Sequence, residues 1–361
     1  MLGNELRTQV KIHTIILGFG NVGQGLARVI LKKAAYLRQS NLEIVVVGAV
    51  ETDRDGIFHS VVSGSGLDIM ALLETKRRTG VISTYPVAGG HSSSLELIEH
   101  SKAQLMFETT PTNLKDGEPG LSHIKAALTR GVSVVTSNKG PLLFGLKDLR
   151  RLSEENHVGF AYSASVAGAL PIIPTGQYAL VGCHVKSIEG ILNGTTNYIL
   201  TEMTNRGVSM QQALAKAQQM GIAETDPRFD VEGYDTAFKL LVSANSIMNT
   251  DAQISDVKIS GIEHVTPELV QKTKMTGKVL KLIGSAKHID DHVEMKVGLE
   301  EMQEDHPFHS VNGIWKAVMF ETDLLGEITL LGGKSDPELA AGAMLRDTLN
   351  LVRESQIPFR E

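Results

Sequence analysis

Cysteine is nearly absent from this chain of 361 residues, which contains a single one, Cys183. One thiol excludes an intrachain disulfide and any metal site built from several thiolates. It also limits covalent catalysis, because an enzyme that forms a thioester with its substrate would have to use this residue. Cys183 lies in an apolar, strand-like run, 178–185, so we expect it to belong to the core.

Long apolar runs and an excess of basic charge are also missing. Stretches such as 44–50 and 188–192 are much shorter than the roughly 20 residues that span a bilayer, and the N-terminus has no signal-peptide core. The net charge of −6 provides no basic field for nucleic acid. We therefore expect a cytoplasmic protein that binds a small molecule, with neither a membrane nor nucleic acid as a partner.

The histidines also lack a metal-binding pattern. None of the 12 histidines is part of an H-E-x-x-H motif, which argues against a zinc site. What the chain does have is a hydrophobic content of 42% over a length sufficient for two buried cores. This combination is typical of a globular enzyme.

A strand, a glycine turn and a helix follow one another near the N-terminus. The apolar run 10–17 ends at Gly18, Gly20 and Gly23, and apolar residues at helical spacing come next. This matches the dinucleotide fingerprint G-x-G-x-x-G, in which the first glycine makes the turn, the second admits the pyrophosphate and the third lets the helix pack on the strand. The pattern predicts that NAD or NADP binds here.

The end of the next apolar run, 44–50, concerns the choice of cofactor. Glu51 follows this expected strand, and a carboxylate there can accept both ribose hydroxyls of NAD. Glu51 is farther from the glycine turn than usual, which predicts a lengthened first helix. Arg54 could instead bind the 2′-phosphate of NADP, so both cofactors stay open.

Further alternation of strands and helices predicts a parallel sheet. Strands are expected at 105–108, 132–136 and 158–162, and helices at 122–130 and 147–156. In such a sheet the carboxyl ends of the strands share one edge, which places Thr109, Thr110 and Ser137 beside the glycine turn. Lys139 follows the same edge and is therefore a candidate active residue.

The composition changes to glycine, alanine and serine after residue 162, which predicts a domain boundary. We expect a Rossmann-type α/β domain over 1–160, completed by a C-terminal helix within 333–361, and a mixed α+β domain for substrate binding and dimerisation over 161–332. Strands of the second domain are expected at 185–192, 286–289, 293–299 and 327–331. Carbonyls of the loop 163–170 could face a cation, although close packing of small residues explains its composition more simply.

The acidic stretch 221–239 carries the strongest indication of chemistry. Asp235 and Lys239 are four residues apart, so they share one face if the segment is helical. An exposed pair of this kind would mean nothing for function, but the helix is apolar almost all round, which predicts a buried pair. Carboxylates that hold an ammonium, beside a lysine that burial could make less basic, are the groups needed to bind an amino acid and move a proton.

These residues together resemble the homoserine dehydrogenase family. The matching motifs run in family order from about residue 12 to 330, and they cover 18–23, 108–112, 134–141, 193–198 and 224–239. The resemblance implies reversible hydride transfer between L-homoserine and NAD(P), with L-aspartate 4-semialdehyde as the oxidised partner, in threonine and methionine biosynthesis. It also implies a homodimer, in the short form without a regulatory or kinase domain.

The same resemblance implies roles for individual residues. Lys139 and Lys239 would flank the reacting oxygen, and Asp235 would hold the hydroxyl end of the substrate. The amino acid end would meet Glu224, Asp230 and the segment Asn193, Gly194 and Thr195. The cofactor would contact Gly18, Phe19, Gly20, Asn21, Val22, Gly23, Glu51, Arg54, Thr109, Thr110 and Ser137.

Two departures from the family pattern limit what the resemblance implies. The resemblance implies a monovalent cation on the carbonyls of Val166 and Gly168, but Ser163 stands where relatives usually have glutamate, which weakens the expectation of that cation here. The segment 332–336 replaces a Gly-Pro-Gly-Ala-Gly element, so its cofactor contacts are not carried over.

Two other functions compete with this interpretation. A phosphorylating semialdehyde dehydrogenase would need a thiol nucleophile, and Cys183 is poorly placed in the pattern for that role. A catalytically idle NAD(P)-binding sensor would need only the fold. The joint presence of Lys139, Asp235 and Lys239 argues against the sensor.

Overall fold

A computed structural model of the chain describes residues 9–86, 90–333 and 336–358. The chain divides into two compact units. The first comprises Met1–Ser165 and Pro337–Glu361, and the second Val166–Asp336. The boundaries predicted from the sequence lie slightly earlier, after residues 160 and 332.

The first unit contains a largely parallel sheet. Its elements are, in chain order, β1 (Val10–Leu17), α1 (Asn21–Gln39), β2 (Leu42–Thr52), β3 (Phe58–Val62), α2 (Ile69–Thr79), α3 (Ser94–His100), β4 (Leu105–Glu108), α4 (Gly120–Thr129), β5 (Ser133–Thr136), α5 (Gly140–Glu155) and β6 (Phe160–Ala161). The strand order is β3-β2-β1-β4-β5-β6, and all neighbours except β2 and β3 are parallel. This topology confirms the predicted Rossmann-type fold.

Both faces of this sheet are covered by helices. Side chains of β1 alternate between two separate apolar clusters, with Ile12 and Ile16 in one and Ile15 and Leu17 in the other. A strand that is buried on both faces has a largely apolar sequence, which is why VKIHTIIL was recognisable despite its polar residues. The predicted lengthening of the first helix is also confirmed, since α1 has 19 residues.

The edge strand β3 was not predicted. It pairs antiparallel with β2 from Gly48 opposite Val62 to Thr52 opposite Phe58. The connecting turn is held by Asp53, whose Oδ1 accepts hydrogen bonds from the backbone N–H groups of residues 55 and 57 at 3.0 and 2.8 Å. An aspartate turn that ends in a glycine is a hairpin signal, and the sequence analysis considered this segment only for cofactor choice.

The second unit is built on a mixed sheet. Its elements are α6 (Ile172–Pro174), β7 (Val185–Ile191), α7 (Gly194–Arg206), α8 (Met210–Gln219), α9 (Arg228–Val231), α10 (Tyr234–Ile247), β8 (Val257–Ile259), α11 (Pro267–Met275), β9 (Val279–Ile289), β10 (His292–Met302), β11 (Lys316–Thr322) and β12 (Glu327–Gly332). The strand order is β12-β11-β7-β9-β10-β8, and only β8 and β10 are parallel. The predicted mixed α+β class is confirmed.

Two details of the second unit correct the sequence analysis. The runs 286–289 and 293–299 are parts of one long hairpin, in which β9 and β10 pair from Ile289 opposite His292 to Val279 opposite Met302. The strand expected over 178–185 is wrong, because Thr175–Ala179 forms a π-helical turn. Cys183 follows this turn and is partly exposed, so it does not belong to the core.

The C-terminal helix α12 (Pro337–Arg353) belongs to the first unit, as the sequence predicted. It packs closely on α1, where a Cβ added at Gly25 would lie 3.1 Å from the carbonyl oxygen of Pro337 and 3.6 Å from the Cβ of Ala341. Its apolar side chains, including Met344 and Leu345, join the cluster that contains Ile12. The first unit is therefore completed by a segment that is remote in sequence.

None of the helices in the part of the chain that the structure describes is long and apolar enough to cross a membrane.

Candidate active site

The glycine turn between β1 and α1 has the geometry of a dinucleotide-binding loop. Gly18 has φ +92°, and a Cβ there would lie 2.5 Å from the carbonyl oxygen of Thr109. A Cβ at Gly23 would lie 2.2 Å from the carbonyl oxygen of Gly18, so these two glycines are required by the fold itself. Gly20 differs, because a Cβ there would meet nothing within 4 Å. The fold does not need a glycine at this position, and the open space beside it fits a pyrophosphate.

The residues between these glycines differ in what they can offer a cofactor. The side chain of Phe19 is fully buried in the apolar core, so only its backbone could contact a ligand. The carbonyl oxygen of Phe19 accepts a hydrogen bond from Gln24 Nε2 at 3.2 Å. Asn21 is exposed and Val22 is half-buried at the start of α1.

Glu51 has a structural position that the sequence did not indicate. Its Oε1 accepts a hydrogen bond from the N–H of Ile82 at 2.7 Å, and its Oε2 lies 2.5 Å from Lys76 Nζ. Only 5% of the side chain is exposed. This burial favours a role in tying the end of β2 to the end of α2 over contact with a ribose. Arg54, three residues on, is exposed.

A polar network occupies the carboxyl edge of the parallel sheet. The carboxylate of the fully buried Glu108 accepts hydrogen bonds from both the N–H and the hydroxyl of Thr110, and from Thr136 Oγ1 at 3.1 Å. Asn138 Nδ2 donates to Thr110 Oγ1 at 3.2 Å. The network fixes the loops after β4 and β5 against each other, and the sequence analysis did not include Asn138.

The other residues predicted at this edge lie around that network. Thr109 Oγ1 donates to the carbonyl oxygens of Gly18 and Leu17 at 2.6 and 3.0 Å, which confirms that the loop after β4 lies beside the glycine turn. The N–H of Ser137 donates to the carbonyl oxygen of Glu108 at 3.2 Å. Lys139 is half-buried and immediately precedes α5.

The predicted pair of Asp235 and Lys239 is present in the second unit. Both residues lie on the buried face of α10, with 3% and 7% exposure, and Lys239 Nζ donates to Asp235 Oδ2. Lys239 also donates to the carbonyl oxygen of Leu192 at 3.0 Å, at the end of β7. This is a buried pair between a helix and a sheet, so its interpretation as an ordinary surface ion pair no longer applies.

Asn193 links this pair to a second carboxylate. Its Nδ2 donates to Asp235 Oδ2 and to Asp230 Oδ1, both at 2.7 Å, while its Oδ1 accepts from the N–H of Thr196 at 2.9 Å. Burial raises the pKa of Asp230, and the neighbouring carboxylate of Asp235 raises it further. The site therefore holds two carboxylates, one amide and one amine in a largely buried cluster.

The remaining residues predicted to bind the substrate differ in burial. Glu224 is exposed in the loop between α8 and α9, and its carbonyl oxygen accepts from Gln218 Nε2 at 3.0 Å. Gly194 allows the chain to pass Ile314 closely, since a Cβ there would lie 2.9 Å from that carbonyl oxygen. Thr195 is buried and donates to the carbonyl oxygen of Ile222 at 3.2 Å.

A buried ammonium from β11 contacts the small-residue loop after β6. Lys316 is 1% exposed, and its Nζ donates to the carbonyl oxygen of Ala167 at 2.7 Å. Ala167 lies between Val166 and Gly168, the two predicted cation ligands. The carbonyl between the two expected cation ligands is therefore bonded to an ammonium.

Ser163, where the family has glutamate, contacts α12 within the first unit. Its N–H and hydroxyl donate to the two carboxylate oxygens of Asp347 at 2.9 and 2.6 Å, and its hydroxyl accepts from Arg346 at 2.8 Å. Asp347 is fully buried, and burial raises its pKa to about 6. Ser163 therefore anchors the C-terminal helix.

Comparison with known proteins identifies relatives over nearly the whole chain. A sequence profile described as homoserine dehydrogenase matches residues 171–349. The homoserine dehydrogenase of Methanocaldococcus jannaschii is 40% identical over 342 residues, which are 95% of this chain and 99% of that protein. The NAD(+)-dependent homoserine dehydrogenase of Pseudomonas canavaninivorans is 33% identical, with 93% and 95% covered.

Solved structures give the same result. A homoserine dehydrogenase of Archaeoglobus fulgidus superposes with a TM-score of 0.84 at 32% identity, covering 94% of this chain and 99% of that one. A hyperthermophilic archaeal homoserine dehydrogenase in complex with NADPH gives 0.81 at 25% identity, with 95% and 98% covered. Together with the glycine turn, the buried cluster on α10 and 40% identity to a full-length relative, this similarity shows that the chain belongs to the homoserine dehydrogenase family.

Proposed function

We propose that Lys239, oriented by Asp235, moves the proton in the reaction of this family member, reversible hydride transfer between L-homoserine and L-aspartate 4-semialdehyde with NAD(P). The observation that supports these roles is the buried cluster on α10, in which the amine of Lys239 donates to a carboxylate that Asn193 also binds. A buried amine that is held by hydrogen bonds in one position is suited to general acid–base catalysis.

The chemistry needs one proton acceptor beside the alcohol. When homoserine is oxidised, the hydroxyl proton leaves the oxygen as the hydride leaves the same carbon. Nicotinamide, when bound, supplies the hydride acceptor. Lys239 would take the hydroxyl proton as a neutral amine and return it as an ammonium in the reductive direction. Asp235 would orient the Lys239 amine, and we assign Lys139 as the second lysine of the reaction.

The substrate is an amino acid, so both of its charged ends need partners. We assign its ammonium to Glu224 and Asp230. Asp230 accepts a hydrogen bond from the side-chain amide of Asn193, which also donates to Asp235. We assign its carboxylate to the backbone of Asn193, Gly194 and Thr195 at the start of α7, where N–H groups are available and the helix dipole favours an anion.

The cofactor is NAD or NADP, and the first unit would hold it. The pyrophosphate is assigned to the turn from Gly18 to Gly23, and the nicotinamide side to Thr109, Thr110 and Ser137. Because Glu51 is buried and bonded within the unit, we assign contact with the adenosine ribose, or with its 2′-phosphate, to the exposed Arg54. A monovalent cation is not part of this proposal, since Lys316 already places a positive charge on the loop beside Val166 and Gly168.

Initial rates with L-homoserine and each of NAD and NADP test substrate, reaction and cofactor together. We expect reduction of at least one nucleotide that depends on homoserine, and reoxidation when L-aspartate 4-semialdehyde is added. The variant Cys183→Ser serves as a control and should retain the full rate, because no thiol takes part. Failure of both nucleotides to be reduced would contradict the proposed function, and loss of activity in Cys183→Ser would favour a thiol-dependent dehydrogenase.

We also propose that the protein is a cytoplasmic homodimer. The free edge of the second sheet supports the dimer, since β12 pairs with β11 and with no other strand among the described residues. The apolar side chains of Leu324, Leu325 and Leu331 near this edge are more than half exposed. Such an edge is normally covered, and a second copy of the chain is the simplest cover.

A further inference from the structure

Three potential metal ligands meet on the first unit, and none of them has an assigned role in the reaction. His91 precedes α3, and Glu96 and His100 lie on it. One ligand atom from each residue lies within 4.8 Å of the other two, and His91 Nδ1 is 3.6 Å from Glu96 Oε1. In residues 9–86, 90–333 and 336–358, no other group of three histidine, cysteine or acidic side chains meets this condition. We propose that His91, Glu96 and His100 bind a divalent metal ion of the zinc class.

The local sequence explains how the three residues come together. Glu96 and His100 are four residues apart, so they share one face of α3. Ser93 caps this helix by accepting a hydrogen bond from the N–H of Glu96 at 3.1 Å. Ser92 turns back onto the helix, where its N–H and hydroxyl donate to Glu96 Oε2 at 2.6 and 2.5 Å. This turn brings His91 over the helix, with its ring 5.6 Å from that of His100 at an angle of 16°.

Hydrogen bonds around the cluster leave metal-binding atoms available. His100 Nδ1 lies 3.0 Å from the carbonyl oxygen of Glu96, which can only accept, so the proton is on Nδ1 and Nε2 keeps its lone pair. Ser92 occupies Glu96 Oε2 and leaves Oε1 toward His91. Partners that fix the tautomer of a histidine and the orientation of a carboxylate are characteristic of metal sites.

The donor set identifies the class of metal. Two imidazoles and one carboxylate are a known ligand set for zinc, whereas calcium and magnesium prefer oxygen ligands alone. Tetrahedral zinc with bonds of about 2.0–2.2 Å needs ligand atoms roughly 3.3–3.6 Å apart, a range that includes the observed distance between His91 and Glu96. The side chains of His91 and Glu96 are 21% and 39% exposed, so an ion and a water ligand can enter from solvent.

Binding would stabilise one corner of the first unit. The N–H of His91 donates to Ser60 Oγ on β3 at 3.2 Å, so an ion held by His91 would join the edge strand to α3. The histidine spacing did not indicate this site, because the two histidines are nine positions apart and the third ligand is an acid. An ion that binds the folded chain and not the unfolded one raises the thermal midpoint.

Calorimetric titration of the EDTA-treated, tag-free full chain with Zn²⁺ tests the site directly. We expect one equivalent to bind, with a rise in the thermal midpoint of unfolding, and Co²⁺ to give the visible absorption of a four-coordinate site. His91→Ala and His100→Ala should each weaken Zn²⁺ binding by about tenfold or more. Ser92→Ala removes no ligand but frees the carboxylate, and it should weaken binding by ~10-fold.

The matched control is the other close histidine pair, His184 and His288, whose rings are 4.7 Å apart. His184→Ala should bind Zn²⁺ as the wild type does. Circular dichroism in EDTA checks that every variant is folded, and His91 lies outside helices and strands, so its replacement leaves α3 intact. The proposal is overturned if the wild type shows no saturable binding, if His91→Ala and His100→Ala bind as tightly as the wild type, or if binding is lost in His184→Ala.

Discussion

Replacement of Lys239 can distinguish a role in proton transfer from a role in substrate binding. Replacing it by alanine removes the amine that donates to Asp235 and to the carbonyl oxygen of Leu192. We expect Lys239→Ala to lower kcat for homoserine oxidation by ~10²–10⁴, the range for loss of a general acid–base group. Nucleotide affinity, measured by calorimetry, should persist, because the glycine turn lies in the other unit.

Lys272→Ala is the matched control for this prediction. Lys272 is an exposed lysine on α11 of the same unit, so its removal should leave kcat unchanged. A rise in KM with an unchanged kcat for Lys239→Ala would mean that Lys239 positions the substrate and that the proton leaves by another route, with Lys139 as the next candidate.

The raised pKa of Asp347 predicts how the stability of the fold depends on pH. Its pKa is raised from 3.8 to about 6 in the folded state, mainly by burial. Between these pH values the folded chain holds more protons at this residue than the unfolded chain does. The stabilising contribution of Asp347 is therefore complete below pH 3.8 and is lost as the pH rises through about 6.

Asp347→Asn removes this titration while keeping the shape of the side chain. Because the wild type loses this stabilisation as the pH rises, the free energy of unfolding of the variant should increase relative to that of the wild type by up to roughly 3 kcal/mol between about pH 4 and pH 7. Urea unfolding at several pH values measures the difference between the two proteins, so other titrating groups cancel. A difference that does not change with pH would show that Asp347 has the same pKa in the folded and unfolded states.

Sequence patterns identify residues whose partners are close in the chain. Asp235 and Lys239 could be paired from their spacing and from the apolar helix around them. Asn193 could not be linked to Asp230 and Asp235 from the residues alone, since these contacts cross 37 and 42 positions of the chain. The burial of Glu51 was not predictable for the same reason, because its bonds to Lys76 and Ile82 depend on how α2 packs.

At the scale of the element, the turn between β1 and α1 gives a matched pair of substitutions. A Cβ at Gly20 meets nothing within 4 Å, and its φ of −80° is open to any residue. Gly20→Ala should therefore change the free energy of unfolding by less than about 1 kcal/mol. If the pyrophosphate fills that space, the added methyl should raise the Kd for NAD(P) by ~10-fold or more, which is about 1.4 kcal/mol.

Gly23→Ala is the contrasting substitution in the same turn. Its Cβ would lie 2.2 Å from the carbonyl oxygen of Gly18, so the backbone must move and the thermal midpoint should fall. Nucleotide titrations of both folded variants, with thermal melts, distinguish a ligand contact from a structural requirement. An unchanged nucleotide Kd for Gly20→Ala would mean that the cofactor does not approach this glycine.

Elements that are buried on both faces were predictable, and elements defined by a turn or by one buried charge were not. β1 and β4 have the predicted bounds because their sequences are mostly apolar and are followed by polar or glycine residues. β11 was not predicted although most of it is buried. It begins with Lys316, and a charged residue does not indicate a buried position in the sequence. The π-helical turn at Thr175–Ala179 replaced an expected strand, because apolar composition alone does not distinguish a helical turn from a strand.

At the scale of the whole molecule, the first unit is made of two segments that the second unit separates in the sequence. The first unit receives its last helix, α12, after the chain has completed the second. The fingerprint at the N-terminus and the apolar helical pattern near the C-terminus made this arrangement predictable. Truncation at the end of the second unit would remove α12. The apolar face of α1 that α12 covers at Gly25 would then be exposed.

The edge of the second sheet carries the prediction for assembly. The sequence analysis expected unpaired strands, and the structure instead pairs all strands of this unit into one sheet with β12 at one edge. Leu331 on β12 is 54% exposed, which is unusual for a leucine at a free edge. We expect sedimentation at micromolar concentration to give a dimer, and Leu331→Lys to shift it toward monomer, because a charge at the edge opposes pairing with a second copy.

Met70→Lys is the control for that substitution. Met70 is 68% exposed on α2 of the first unit, so a lysine there adds the same charge at an exposed apolar side chain of a different element. It should leave the dimer intact. Neither side chain is part of a core, so at concentrations low enough for the protein to be monomeric both variants should have thermal midpoints close to that of the wild type. A wild-type protein that sediments as a monomer would contradict the dimer. A dimer that persists in Leu331→Lys and dissociates in Met70→Lys would place the interface on the first unit instead.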